Sequence, residues 1–433
     1  MKQFLDLSKS TFAIYGLGIT GLSVIKYFHK YSYRNYIIWD DNKNIKKIWK
    51  LNKKKEKEFL NLLNFVDYII VSPGININKS KIRESLIENK HKIITDLDLF
   101  YMFNPNIKSI VITGSNGKST ACKIIEHVLK NNNINTKLGG NIGKPILNLN
   151  LKSKPLVVVE ASSFQLAYSK FVKPDYALVL NITNDHLDWH GNFKNYVESK
   201  LKIFSLQDKN DYAFLNDNKL NKKFKLKKFK SRLKFIDIKN YRKIKNKIQN
   251  NYLNLKINEE NMSFVYTLSK ILKISDESFV KSLKTFKGLQ HRHEVFYKKK
   301  NKIFINDSKA TSFQATKFAL ESNRNILWIV GGLPKIGDKF KLKNLKENII
   351  KTYIIGKHLK KFKNELSGEV KFEVSKTLKK AVNSIFKDMK EIGNKRLTIL
   401  LSPASASYDQ FKNFEERGSQ FKALIKNYAR INR

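Results

Sequence analysis

The stretch Thr113-Gly114-Ser115-Asn116-Gly117-Lys118-Ser119-Thr120 follows an apolar run at 110–113 and opens a helical pattern. Glycines at a strand-to-helix turn let backbone N–H groups wrap nucleotide phosphates. A lysine there meets the β and γ oxygens, and the hydroxyl after it faces Mg²⁺. Gly117-Lys118-Ser119 matches the core of the general GxxxxGK[ST] loop, although position 112 is Ile where that form has Gly. Against this stands a lysine that merely opens a helix, a reading that leaves the glycine spacing unexplained. Glu160 follows the apolar run 156–159 and His186 follows the run 177–180, so both are expected at a carboxyl sheet edge near this loop. A carboxylate, an imidazole and a hydroxyl suit a Mg²⁺ ion that keeps several waters. From the residues alone, a salt-bridged Glu and a surface His stay equally open.

A second glycine loop, Gly16-Leu17-Gly18-Ile19-Thr20-Gly21, matches GxGxxG between a strand run and a helix, and Asp40 ends the next strand run. Such a loop brings a pyrophosphate onto a helix N-terminus, and the carboxylate meets a ribose. Taken alone it admits NAD or FAD, another nucleotide, or a structural turn. A redox protein has no use for a second phosphate cradle, however. The first loop is therefore expected to hold the nucleotide part of a substrate.

Both loops need sheets to position them. Short apolar runs recur at 12–15, 36–39, 68–71, 110–113, 156–159, 177–180, 326–330, 353–355 and 397–401, each followed by a helical stretch. They read as parallel strands buried on both faces, so the fold class is α/β. Three domains are expected: a Rossmann-like one at 1–104, closed by Asn104-Pro105-Asn106, a central P-loop ATPase-type one at 105–292, and a Rossmann-like C-terminal one at 293–433. The lysine- and asparagine-rich segment 217–257 is expected to be a peripheral sheet or loop, and no internal repeat is present.

Composition bounds the setting. The chain has 433 residues, 41% of them hydrophobic, and no apolar stretch approaches the roughly 18–20 residues that cross a bilayer. A single cysteine, Cys122, excludes an internal disulfide, and the first residues lack the pattern of a signal peptide, so a reducing cytoplasm is expected. The net charge of +47 could mark a nucleic-acid partner or simply a lysine-rich translation of an A/T-rich genome. The lysines are spread along the whole chain and no nucleic-acid module surrounds them, which favours the second reading. No nucleic acid, no membrane insertion and a monomer are the expectations.

The phosphate loop resembles that of the Mur ligases and of the related folylpolyglutamate synthases. Further motifs in the same order extend the likeness over nearly the whole chain: Gly139-Gly140-Asn141-Ile142-Gly143, Glu160-Ala161-Ser162-Ser163-Phe164-Gln165-Leu166, Asn181-Ile182-Thr183-Asn184-Asp185-His186, His291-Arg292, Asn306-Asp307-Ser308-Lys309-Ala310-Thr311, and the segment from Leu401 to Arg417. The folylpolyglutamate synthases lack the first domain. The last motif is similar to that of the D-glutamate-adding members, and the Asp-Asn-Pro-Arg signature of the diaminopimelate- or lysine-adding members is absent.

The resemblance implies ATP-dependent joining of D-glutamate to UDP-N-acetylmuramoyl-L-alanine through an acyl phosphate, in peptidoglycan precursor synthesis. It implies that ATP is bound by Gly114, Ser115, Asn116, Gly117, Lys118, Ser119, Thr120, Asn261, Arg292, Asp307 and Lys309. Two Mg²⁺ ions would be held by Ser119, Glu160, His186 and a Lys200 carbamylated by CO₂, and Lys118, Glu160, His186 and Lys200 would be catalytic. Ile19, Thr20 and Asp40 match positions around uracil and diphosphate, and Asn141 and Ser162 match positions at the muramoyl-alanine end. Thr311, Lys335, Ser407 and Phe414 match the D-glutamate pocket. Two departures stand out. The family often has Asp-Thr-Arg where this chain has Asp40-Asp41-Asn42, and the partner expected three residues after Asn261 is Phe264. Closure of the third domain over the second is expected during turnover. Another amino-acid ligase of the same family, a nucleotide-binding regulatory module and a Rossmann dehydrogenase are the alternatives.

Overall fold

In the computed structural model, residues 7, 9–216, 229–250, 252–255, 258–335 and 337–431 are described. Part of the lysine-rich segment, at 217–228, 251 and 256–257, lies outside them. Strands form where β-branched and aromatic residues run without a break. The described residues make three sheets. The first contains β1 (Phe12–Tyr15), β2 (Tyr36–Trp39), β3 (Tyr68–Val71) and β4 (Ile93–Ile94), in the order β2-β1-β3-β4, and all its pairs are parallel.

The second sheet contains β5 (Ser109–Thr113), β6 (Thr136–Gly140), β7 (Leu156–Glu160), β8 (Tyr176–Val179), β9 (Tyr212–Asn216) and β10 (Arg232–Ile236). Its order is β10-β9-β8-β5-β7-β6, again parallel throughout. Every residue of β5 is buried, and Ile110, Val111 and Ile112 are fully so. Each such aliphatic side chain contributes about 1.5–3 kcal/mol on leaving water. The helix Lys118–Asn131 covers this sheet because Ala121, Cys122, Ile124, Ile125, Val128 and Leu129 recur on one face of its 3.6-residue period.

These two sheets belong to one compact unit, 1–286. A buried polar seam joins them. Asp98 accepts backbone N–H bonds from Lys170 (2.7 Å) and Phe171 (2.6 Å), the Thr95 and Ser169 hydroxyls meet at 2.8 Å, and Gln165 Nε2 donates to Asp96 at 3.1 Å. Burial pushes the Asp96 carboxyl up to about 6. An acid whose folded pKa is raised loses stability as pH climbs from its unfolded value, near 4, through its folded one. Asp96→Asn is thus expected to abolish a fall of roughly 1–3 kcal/mol in unfolding free energy between about pH 4 and pH 6, read from urea midpoints across that range. An unchanged slope in the variant would count against this.

The second unit, 287–433, is built on the third sheet. Its strands are β11 (Glu294–Lys299), β12 (Lys302–Asn306), β13 (Ile326–Gly331), β14 (Ile349–Ile355), β15 (Phe372–Lys376) and β16 (Leu397–Leu401), in the order β11-β12-β16-β13-β14-β15. Only β11 runs antiparallel, as a hairpin with β12. Two apolar clusters cover the two faces of this sheet. One centres on Trp328, Val330 and Phe362, and the other on Leu327, Tyr353 and Phe421.

Candidate functional site

The phosphate loop leaves β5 at Thr113 and enters its helix at Lys118, at the carboxyl edge where the connections from neighbouring strands diverge. Gly117 takes φ +82°, and a Cβ there would stand 2.2 Å from Asn261 Oδ1. Asn261 is thereby placed against the loop. The loop is braced from β8: Ser115 N–H donates to the Asn181 carbonyl (2.7 Å) and Asn116 N–H to Asn181 Oδ1 (2.8 Å). Asn181 Nδ2 in turn donates to Glu260 (3.1 Å), a half-buried carboxyl whose pKa is raised by desolvation. Phe264, one of the two departures, is fully buried core.

Lys118 Nζ donates to the carbonyls of Gly114 (2.8 Å) and Ser115 (3.0 Å), and Lys200 Nζ donates to the same Gly114 carbonyl at 2.9 Å. Two lysine amines thus converge on one oxygen. Lys200 sits on the helix Phe193–Leu201, is 1% exposed, and lies 4.5 Å from the centroid of the Tyr196 ring, one turn earlier on that helix. Burial, and then the charge of Lys118, drive its pKa well below the usual lysine range, opposed by Asp185. Tyr196 also reaches the loop through its hydroxyl, 2.8 Å from Ser115 Oγ. Nothing in the sequence singled out Tyr196, and its four-residue spacing from Lys200 was the available signal.

Glu160 ends β7 and is 2% exposed. Its Oε1 accepts from Asn141 Nδ2 at 2.8 Å, while Oε2 is buried without a partner. His186 takes φ +54° at the N-cap of the short helix Leu187–His190, with Nε2 3.4 Å from Asp185 Oδ2 and its ring against Phe164. Ser119 is buried in the first turn of the loop helix. Among the described residues no group of three or more His, Cys, Asp or Glu side chains is placed to hold a metal. The donor set still fits Mg²⁺, which takes one or two carboxylates and completes its shell with phosphate and water oxygens. The orphaned Glu160 oxygen fits such a cation, because a buried carboxylate oxygen left unpartnered is costly. Ser162 caps the helix Ser163–Tyr168 in a capping box with Gln165.

In the first cradle, Gly16 takes φ +97° and Gly18 caps the helix Ile19–Lys30. Ile19 is 79% exposed at the helix start. Asp40 is buried, with Oδ2 accepting from Leu17 N–H (2.6 Å) and Oδ1 from Asn42 N–H (2.7 Å), so its carboxylate braces the loop itself. A Cβ on Gly21 would lie 2.0 Å from the Gly16 carbonyl oxygen. Gly21→Ala must push backbone apart and is expected to cost about 1–3 kcal/mol, seen as a lowered Tm together with weakened UDP binding. A melting curve and a UDP titration both matching wild type would refute this.

In the second unit, Asp307 follows β12, and its Oδ2 accepts from Ser402 Oγ (2.7 Å) and its Oδ1 from His293 N–H (3.0 Å). Burial pushes this carboxyl up to about 7, opposed by the hydrogen bonds from Ser402 and His293 and then by the charge of Arg292. Lys309 Nζ lies 4.4 Å from the centroid of the half-buried Phe414 ring, and Ser308 Oγ donates to the Phe414 carbonyl. Ser407 is buried, Thr311 partly so, and Lys335 is exposed. Arg417, which closes the last of the motifs but was given no role from the sequence, is 1% exposed and ties the loops after β12 and β16 together through Ser308 and the Ser405 carbonyl. The structure therefore brings Asn116, Lys118, Glu160, Lys200 and Asn261 around one loop, and gathers Asp307, Lys309 and Phe414 around another sheet edge.

Comparison with known proteins agrees with this architecture. Residues 112–279 match the Mur ligase middle domain and residues 10–95 match the Mur ligase MurD-like N-terminal domain. The UDP-N-acetylmuramoylalanine–D-glutamate ligase of Rickettsia prowazekii is 34% identical over 97% of this chain and 98% of its own length. The corresponding ligase of Wolbachia pipientis is 31% identical over 96% of each chain. Among solved structures, the UDP-N-acetylmuramate–alanine ligase of Thermotoga maritima superposes with a TM-score of 0.57 at 15% identity, covering 96% of this chain and 99% of that one. The MurF ligase of the same organism, crystallised with ADP, gives 0.55 at 16% identity, covering 87% of this chain and 94% of that one. With three sheets in the order described and relatives alike along almost the full length, the chain belongs to the Mur ligase family.

Proposed function

We propose that this chain joins D-glutamate to UDP-N-acetylmuramoyl-L-alanine with ATP, a step of peptidoglycan precursor synthesis. The observation that carries the reading is the pair of separate anion cradles in one compact unit, at 16–21 and 114–120, in a chain whose full-length relatives bear that ligase name. A carboxylate cannot expel oxide when an amine attacks it. Its oxygen instead takes the γ-phosphoryl group of ATP, releasing ADP. The D-glutamate amine then attacks the acyl carbon and phosphate leaves, with one proton lost from the amine.

Such a reaction needs alignment and fixed positive charge more than covalent help from protein. Gly114 to Thr120 hold the ATP phosphates, Lys118 faces the transferring group, and Asn261 lies on the nucleotide side of the loop. Glu160, Ser119, His186 and a carbamylated Lys200 are the groups suited to two Mg²⁺ ions, whose contribution is to offset phosphate charge. Ile19, Thr20 and Asp40 serve the uridine diphosphate end, and Asn141 and Ser162 the muramoyl-alanine end. Arg292, Asp307 and Lys309 extend the ATP contacts, while Thr311, Lys335, Ser407 and Phe414 form the D-glutamate pocket, with Lys335 on the side-chain carboxylate. The three-domain division at 104 and 292 belongs to this reading. Its test is phosphate release from ATP. Release is expected only when UDP-N-acetylmuramoyl-L-alanine and D-glutamate are both present, and release with a different amino acid in place of D-glutamate would overturn the assignment.

A further inference from the structure

Ser72 Oγ donates to the Gly16 carbonyl at 2.7 Å, and a Cβ on Gly16 would stand 2.7 Å from Ile75 Cδ1, so the loop after β3 is packed on the first glycine loop. Asn76, in the same loop, binds two elements through one amide. Its Oδ1 accepts from Asn78 N–H (3.0 Å) and so caps the turn Ile77–Lys79, and its Nδ2 donates to the Trp189 carbonyl (2.9 Å). Two further bonds cross the same seam: Ile77 N–H donates to the Tyr168 hydroxyl (3.0 Å) and Lys79 Nζ to the Asp188 carbonyl (2.9 Å). Lys79 is exposed, so water competes for its bond and Asn76 is the stronger tie.

Asp188 and Trp189 belong to the one-turn helix Leu187–His190, whose N-cap is His186 at φ +54°. The His186 carbonyl accepts from Trp189 N–H (3.1 Å) and His190 N–H (3.0 Å). A helix of four residues cannot hold itself in water, and a left-handed residue other than glycine persists only where its surroundings over-determine it. Here the surroundings are aromatic rings and the loop after β3. The Phe164 ring centroid lies 4.7 Å from that of His186 and 5.0 Å from that of Trp189, and Tyr168 lies 5.4 Å from Trp189. Contacts thus run without a break from Gly16 through Ser72, Asn76 and Trp189 to His186. We propose that Asn76 is a positioning residue. It ties the turn carrying His186 to the first cradle, so that a nucleoside diphosphate in that cradle and a Mg²⁺–nucleotide on the phosphate loop strengthen each other's binding. This rests on the two cradles and on the Mg²⁺ role of His186 in the proposed function. Ordering one loop serves both ligands, and the coupling must be reciprocal.

Calorimetric titration of the full chain with ADP, with and without saturating UDP, tests it. In Mg²⁺, UDP is expected to tighten ADP binding to wild type about fivefold or more, and ADP to tighten UDP binding equally. In EDTA the effect is expected to vanish, because His186 then has no ion to hold. Asn76→Asp keeps the acceptor that caps Ile77–Lys79 but sets a carboxylate oxygen against the Trp189 carbonyl. There the coupling is expected to fall below about twofold, while each nucleotide alone binds within about threefold of wild type. Tyr168→Phe removes one acceptor of the seam and keeps the ring against Trp189, and it is expected to lower the coupling without abolishing it. Thermal melts report folding separately, and Tyr168→Phe carries the test if Asn76→Asp does not fold. Coupling of wild-type size in either folded variant would overturn the inference, as would a wild type that binds the two nucleotides independently or a coupling that survives EDTA. A wild-type chain that binds neither nucleotide overturns the two-cradle reading along with it.

Discussion

Lys118→Met is expected to lower kcat by roughly 10³-fold while UDP binding stays at the wild-type level. The amine is already stationed at the loop mouth by the Gly114 and Ser115 carbonyls, so the protein supplies an oriented cation without reorganisation when the phosphoryl group transfers. Methionine retains the apolar stem and removes the charge. Lys118→Arg is expected to recover little, because a planar guanidinium does not fit a cradle shaped for a compact ammonium. The readout is initial-rate phosphate release at saturating substrates, alongside a UDP titration. A kcat within about threefold of wild type would remove Lys118 from the phosphoryl-transfer step, since a single lost donor of this kind ordinarily costs more.

The parts of this architecture that the sequence reveals are mostly those buried on both faces. β1, β3 and β16 coincide with apolar runs residue for residue, because an inner parallel strand has no polar face to break the run, and β2 does so too although it is an edge strand with only Trp39 buried. Among the strands with no such signal, β4, β6, β10, β11 and β15 lie at sheet edges, whereas β9 and β12 are inner strands. β6 ends Leu-Gly-Gly, and β10 and β11 each carry two basic residues, which suits an edge that must not pair with another chain. β9 carries an apolar run as good as the others, but it is set among lysines and asparagines that mask it.

The site divides along the same physical line. The two cradles are local, so their glycines, Lys118 and Asp40 stand out from spacing alone. Tyr196 against Lys200, Glu260 against Asn181 and Arg417 against Ser308 are contacts between side chains brought together only by folding. No spacing rule predicts the last two. Asp40 shows a further limit: a carboxylate at the right place after β2 is as much a brace for its glycine loop as a ligand contact, and only its hydrogen bonds reveal the first task.

Lys200→Ala is expected to lower kcat by roughly 10²–10³-fold and to regain part of that loss in the presence of a short carboxylic acid such as acetate or propionate. A lysine 1% exposed, sharing the Gly114 carbonyl with Lys118, is a poor place to keep a second ammonium. Burial and the neighbouring charge both favour the neutral amine. A neutral amine has the lone pair that attacks the carbon of CO₂, forming a C–N bond and releasing a proton, and the product is an anion in place of a cation. That change of sign would turn an electrostatic liability beside Lys118 into an attraction, which the carboxylic acid would mimic in the space the side chain vacates. The truncation also removes packing against Tyr196, so a lower Tm is expected, and rescue is what separates lost chemistry from lost fold. Full activity in the variant would dismiss any role for Lys200. A folded, inactive variant that no carboxylic acid revives would dismiss the carbamate while leaving the lysine as a packing residue of the phosphate loop.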